Sequence, residues 1–241
     1  MIPVLFEDKY LVVCVKPVGV LSAPEPGKRK NMPELLQKQT RAYRIDVIHR
    51  LDQPVGGVMV YSKSSKATPG LYKQMAGYRI RKEYLAVVCG VPASPVGRWT
   101  DWLLKDPARC KSRVVPEGTR NAKDASLSYR LLETVTVDGV PCSLVKVRLH
   151  TGRTHQIRVQ FSSRRLPLLG DEKYGGAPAD GLALWGYRLG FRHPVTGKPV
   201  DNTCPPPTEA PWSWFDPTLF SLDVGEEKAD FKPRKTQTKI F

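Results

Sequence analysis

The sequence predicts a single mixed α/β domain in which strands outnumber helices and pair largely antiparallel. Three observations carry that expectation. Short runs rich in β-branched residues recur from the N-terminus to Phe191. Helix-start chemistry occurs at only two places, and one further stretch has helical spacing. Asp138-Gly139 separates two strand-like runs with a turn pair that strongly favours a hairpin. No internal repeat and no linker interrupts the chain before residue 205, so residues 1–215 read as one domain and 216–241 as a loosely held tail.

Along the chain, VLFEDKYLVVCVKPVGVL gives a short strand, a Glu7-Asp8 turn and a second strand ended by Pro17-Val18-Gly19. APEPGKRKN, from Ala23, is a basic loop. Asn31 and Glu34 have capping-box spacing with Pro33 in the first turn, which predicts a helix over Pro33–Thr40. Strands are expected at Val47–Leu51 and Val55–Tyr61, with Asp52, Gln53 and Pro54 as the break between them. A second helix is expected from Thr68, as cap ahead of Pro69, to about Ala76.

KEYLAVVCG is a strand by composition, and residues 91–124 read as loops with short strands around Trp99 and Val114. In CSLVKVRLH, the second arm of the hairpin, Val145, Val147 and Leu149 alternate with Lys146 and Arg148, as one buried and one wet face would require. A third helix over Thr154–Arg165 would place His155, Arg158, Ser162 and Arg165 on one face and Ile157 and Phe161 on another. LLGDEKYGG is a loop, and strands near Leu182–Phe191 with a Thr196-Gly197 turn close the core.

Charge narrows the classes of function. Lysine and arginine number 38 against 23 acids, a net +15 that favours a polyanionic partner, nucleic acid first. No run approaches the about 18 apolar residues of a spanning helix. The start MIPVLFEDKY has neither a basic n-region nor an apolar h-region, so a cytoplasmic monomer away from membranes is expected. Cys14, Cys89, Cys110, Cys142 and Cys204 form no C-x-x-C pair, and His49, His150, His155 and His193 show no metal spacing. Neither metal nor cofactor is expected.

Three segments carry chemistry: HRLD with Asp52, RKEYLAVV with Tyr84, and LHTGRTHQIRV with Arg153 and Arg158. With FEDKYLVVCVKPVGVL, HRLDQPVGGVMVYSKSSKA, KEYLAVVCG, TGRTHQIRVQF, LPLLGDEKYGG and LGFRHPVTGKP in that order, the sequence resembles the HRLD-motif pseudouridine synthases of ribosomal and transfer RNA. The resemblance implies their fold, a bent mixed sheet with the active cleft across its middle. It also implies isomerisation of uridine to pseudouridine within RNA, without cofactor or metal.

By the same resemblance Asp52 is the catalytic carboxylate, Arg158 the arginine paired with it, and Tyr84 the active-site tyrosine that stacks on a flipped uracil. Arg50 would enter the RNA and support base extrusion. His49, Leu51 and His155, in the same motifs, are expected to line the substrate, and Arg153 to bind phosphate or structure its loop. The residue types suit the reaction, which must break a glycosidic bond, turn the freed base and rejoin it. A carboxylate can attack C1′ or the base as a nucleophile, or act as a base at C2′. An arginine fork would hold it charged and oriented.

Some positions depart from the family pattern. Val55-Gly56-Gly57 stands where Thr-Ser-Gly is common, and the histidine of a late LHA-like strand is replaced near Trp185. The glycine pair is expected to permit a tight turn and close approach of RNA backbone. Many members carry an S4-type module ahead of the catalytic block, where this chain begins. Lys28-Arg29-Lys30 and the stretch from Lys105 to Arg113 would then select the RNA. Two other classes compete: a non-catalytic RNA-binding or ribosome-assembly protein on the same fold, and a metal-free nucleoside or glycoside hydrolase with Asp171 as its second carboxylate.

Overall fold

The computed structural model describes residues 1–27 and 30–224. Its framework is one mixed sheet built from β1 (Val4–Glu7), β2 (Leu11–Lys16), β3 (Asp46–Val47), β4 (Gly56–Ser62), β5 (Arg81–Cys89), β6 (Val96–Asp106), β7 (Lys111–Val115), β8 (Lys123–Val137), β9 (Val140–Leu149), β10 (Leu184–Arg192) and β11 (Pro199–Thr203). The order is β1-β2-β4-β10-β5-β9-β8-β6-β7, with β3 beside β4 and β11 beside β10. Among these strands the only parallel pairing is β4 with β10, and it is short: Trp185 opposite Gly56 and Gly186 opposite Gly57. Beyond it the two strands part, β3 taking the far end of β4 and β11 the far end of β10.

Central strands are largely apolar because both faces are covered. All six residues of β2 and all seven of β4 are buried. One face packs Cys14, Met59, Tyr61, Tyr84, Ala86 and Val145 against Met32 and Leu36 of α1 (Met32–Thr40) and Ile157 and Phe161 of α3 (Gln156–Ser162). Leu71 of α2 (Thr68–Ala76) covers Val58, Val60 and Leu189. The opposite face, with Leu85, Val87, Leu144 and Trp185, is closed by Trp212, Phe215 and Phe220.

Helix α1 starts as its sequence indicates, the Asn31 side chain accepting from the Glu34 N–H at 3.1 Å. Asp138 (φ 50°) and Gly139 (φ 78°) both take the left-handed conformation of a two-residue hairpin turn. Elsewhere tertiary packing overrides local pattern. Thr68 does not cap α2: Ala67 does, and the Thr68 hydroxyl instead donates to Asp46, Ser62 or Ser64 oxygens 2.5–3.0 Å away. The stretch 91–124 holds the eleven-residue β6, whose polar residues are mostly half-buried or exposed and which pairs with β8 on one side and β7 on the other. The expected strand over Val47–Leu51 is shortened to Asp46–Val47, since Ile48–Leu51 leaves the ladder toward Asp52.

The wet face expected of β9 is dry at Lys146, which is fully buried because the C-terminal segment crosses it. Its ammonium donates to the carbonyls of Phe220 (2.9 Å) and Leu222 (2.8 Å) and lies 3.6 Å from Glu83 Oε2. Residues 216–224, expected to hang loose, are therefore held: Phe220 and Val224 are buried. Residues 225–241 of that tail, and Lys28 and Arg29 of the basic loop, lie outside the described residues.

Candidate active site

Asp52 sits in the loop between β3 and β4, at the edge of the β4–β10 junction, and backbone contacts on both sides fix that loop. Leu51 N–H donates to Ser22 Oγ (3.0 Å), and the same hydroxyl donates back to the Leu51 carbonyl (2.7 Å). After Asp52 the chain turns, with Val55 N–H donating to the Asp52 carbonyl at 3.0 Å. The Gln53 carbonyl accepts from Gly19 N–H (2.9 Å) and from the ammonium of Lys16 (3.2 Å).

Lys16 also donates to Pro17 O (2.9 Å) and Val20 O (2.7 Å), so one fully buried amine ties the end of β2 to the Asp52 loop. Burial pushes that amine down to about 8, with the nearby Asp52 charge opposing. Sequence reading assigned Lys16 nothing, although a lysine closing an otherwise apolar run before proline was a usable signal.

Arg158 comes from α3, which is shorter than the expected Thr154–Arg165 helix. His155 just ahead of it is left-handed (φ 53°), and residues 156–161 are buried on all sides. The guanidinium fork does not grip Asp52 as expected. Nε and Nη2 each donate at 2.7 Å to the carboxylate of Asp171, whose side chain is 0% exposed, and only Nη1 reaches Asp52 Oδ2, at 3.0 Å. The reason is geometric: the fork is taken by the buried Asp171, which leaves one N–H for Asp52. Burial opposes the Arg158 charge, yet the two carboxylates outweigh it and hold the guanidinium above its ordinary value.

His155 Nε2 stands 3.7 Å from Asp52 Oδ2, and its Nδ1 is 2.9 Å from the Tyr174 hydroxyl. That hydroxyl accepts the Ser112 N–H at 2.8 Å, and the Tyr174 ring lies 5.1 Å from the Arg158 guanidinium carbon. Burial holds His155 below its ordinary value despite Asp52. A neutral ring that accepts the Tyr174 proton at Nδ1 keeps its own proton on Nε2, facing Asp52. Asp52 is thus restrained through one oxygen and 30% exposed, while Oδ1 accepts from no described residue and is open to a substrate.

Tyr84, on β5, packs with Leu51 and Val55, and its hydroxyl bonds to no described residue. Burial, with help from the Asp52 charge, pushes its phenol up, so the hydroxyl stays protonated. The remaining expected substrate residues diverge. His49 is buried, with Val60 N–H donating to its Nε2 at 3.2 Å; burial and the Lys82 charge push it down to about 3, which makes it a neutral internal acceptor. Leu51 is core. Arg50 is exposed and pairs with Glu25 (3.1 Å) rather than with Asp52. Arg153 is held by Asp124, Nε to the carbonyl at 2.7 Å and Nη2 to Oδ1 at 2.8 Å, and Nη2 also meets the Tyr78 hydroxyl at 3.0 Å.

The glycine pair has a different use from the one expected. A Cβ on Gly56 would lie 2.2 Å from the Trp185 ring, and one on Gly57 (φ 127°) 2.3 Å from the Gly186 carbonyl. It is β10, not RNA, that approaches these glycines. Trp185 fills the freed space and donates Nε1–H to the Cys204 carbonyl at 2.9 Å. Two departures from the family pattern, Gly56 and Trp185, therefore lie in direct contact. Among the described residues no group of three or more His, Cys, Asp or Glu could hold a metal, and no helix is long and apolar enough to cross a membrane.

The family model described as RNA pseudouridylate synthase matches residues 10–163. The chain is 34% identical over 194 residues to RNA pseudouridine synthase 2, chloroplastic, of Arabidopsis thaliana, covering 69% of this chain and 45% of that protein. It is 32% identical over 227 residues to ribosomal large subunit pseudouridine synthase D of Xanthomonas campestris, covering 86% of this chain and 66% of that one. The chain thus spans about half to two thirds of the length of these relatives. The solved human RNA pseudouridylate synthase domain containing 4 has the same fold, with a TM-score of 0.69 at 24% identity over 85% of this chain and 88% of that one.

Proposed function

Since the chain belongs to the RNA pseudouridylate synthase family, we propose that it isomerises uridine to pseudouridine within RNA, with Asp52 as the catalytic carboxylate. The observation that carries this reading is the half-restrained Asp52: Oδ2 fixed by Arg158, Oδ1 free at the cleft. In the reaction the N1–C1′ bond breaks, a C5–C1′ bond forms, C5 loses its proton and N1 gains one. Oδ1 is placed to attack C1′ or the base, or to take the C2′ proton and return it to C2′ as the C5–C1′ bond forms, and afterwards to receive the C5 proton. Arg158 holds the carboxylate in place through Oδ2 during these steps. Tyr84 offers its ring to the extruded uracil.

Ribosomal RNA is the favoured substrate and transfer RNA the alternative; the protein acts as a cytoplasmic monomer, where its five unpaired cysteines remain reduced. Two competing readings fit less well. A glycoside-type hydrolase needs a second carboxylate able to protonate a leaving group. Asp171 is buried and spent on Arg158. A pure binder gains nothing from a free carboxylate that repels phosphate.

RNA tritiated at uridine C5 separates all three. Isomerisation releases label to water, hydrolysis releases free uracil, and binding alone releases neither. Free uracil, or no release from any ribosomal or transfer RNA, would overturn the proposal. Mapping pseudouridines with and without the gene then identifies the site.

A further inference from the structure

Three buried lysines lie along this sheet, and two are fully partnered. Lys16 donates to three carbonyls, and Lys146 to two carbonyls beside Glu83. Lys82, on β5, is different. It is 8% exposed, yet its ammonium donates to no described residue. Its neighbour Glu83 points to the opposite face and is taken by Arg81 and Lys146. Lys82 faces the other way, on the side of Tyr84 two residues on.

The ammonium lies within electrostatic reach of Arg153 and of His49. Burial and the Arg153 charge push it down to about 8, and Lys82 in turn helps keep His49 uncharged. Its Nζ lies 3.1 Å from where a Cβ on Gly152 would stand, so a side chain there would crowd it. An ammonium that has no protein acceptor and only slight contact with water, beside a second cation, favours an anion over that water. Arg153 is fixed through Nε and Nη2, and its Nη1 donates to no described residue. Gly152 and Arg153 also line a cleft of about 170 Å³ with Lys105 and Lys123, which extends the positive surface outward.

We infer that Lys82 and Arg153 form a phosphate subsite, which takes the backbone phosphate adjoining the uridine held between Asp52 and Tyr84. The inference rests on the activity proposed above, and it places an anion beside the TGR loop that leads directly to His155. Phosphate there would fix the sugar while the base turns.

The test uses uridine 5′-monophosphate, inorganic phosphate and uridine as probes, read by NMR on the Lys82 side-chain carbon. Phosphate and the nucleotide should shift that signal saturably, and uridine should not. Lys82→Met should bind the nucleotide about tenfold more weakly, as expected for a lost charged hydrogen bond, with uridine binding unchanged. Removing an unpaired buried charge should leave the melting temperature unchanged or higher. A Lys82 signal indifferent to phosphate, a Lys82→Met variant that keeps the preference for nucleotide over nucleoside, or a marked fall in its melting temperature would each overturn the subsite. These outcomes are independent of turnover: nucleotide binding that depends on Lys82, with no pseudouridine from any RNA, would support the subsite and count against the activity.

Discussion

Replacing Arg158 by Met removes the fork from Asp171 and the single N–H from Asp52, and the first loss should dominate stability. Both donors to the Asp171 carboxylate come from Arg158, and the Asp171 side chain is wholly buried. Stranding such a charge costs about 3–5 kcal/mol. For a domain of this size each kcal/mol shifts the melting temperature by about 2–4 °C, so Arg158→Met should melt roughly 6–20 °C lower. Adding Asp171→Asn removes the stranded charge and should return more than half of that loss. It should not return activity, because Asp52 still lacks its cation. Thermal unfolding of parent, Arg158→Met, Asp171→Asn and the double variant gives the cycle, and single-turnover pseudouridine formation gives the catalytic side. Arg158→Met melting within about 2 °C of the parent, equivalent to less than about 1 kcal/mol, or no rise on adding Asp171→Asn, would refute this role of the Arg158 fork.

The Gly56–Trp185 contact predicts strong coupling. Gly56→Ser forces a side chain into the Trp185 ring and should cost at least about 1–3 kcal/mol, whereas Gly56→Ser with Trp185→His should be more stable than the sum of the two single changes; additivity in urea unfolding would refute it. His49 titrates near 3 when folded and near 6.5 when unfolded, so the folded state binds fewer protons between those values and stability falls as pH drops through that window. The slope attributable to one such group is about 1.4 kcal/mol per pH unit. His49→Gln can still accept from Val60 N–H and should lessen the fall between pH 6.5 and 4.5, leaving a comparable contribution from His150, which burial pushes down to about 4, and a further one from His155, which burial also lowers. An unchanged slope in the variant would contradict the assignment.

How far the sequence reveals this molecule depends on how local each cause is. The Asn31 cap, the Asp138-Gly139 turn and the placement of Asp52 at a break between strands follow from residues within a few positions of one another, and all three were legible. The family motifs carried the fold, along with Asp52, Arg158, His155 and Tyr84. What was not legible depended on distant packing. Nothing near CSLVKVRLH says that residues 212–224 will cover it and bury Lys146. Nothing near HQIR says that its fork will be taken by a carboxylate thirteen positions on. Periodicity also misjudged α3, because a short helix buried on every side has no wet face to show. His49 and Arg50 flank each other in HRLD, yet one is core and the other surface, which a motif read as a unit could not separate.

The central claim is that Oδ1 of Asp52, left open by an arginine anchored elsewhere, performs the isomerisation. The most direct measurement is tritium release from RNA labelled at uridine C5 under single-turnover conditions, comparing the parent with Asp52→Ala at saturating RNA. The expected result is release by the parent and none above about one hundredth of its rate by the variant, with RNA affinity kept within a few-fold, because one cleft carboxylate adds little to polyanion binding. Turnover by Asp52→Ala above that level would contradict the account.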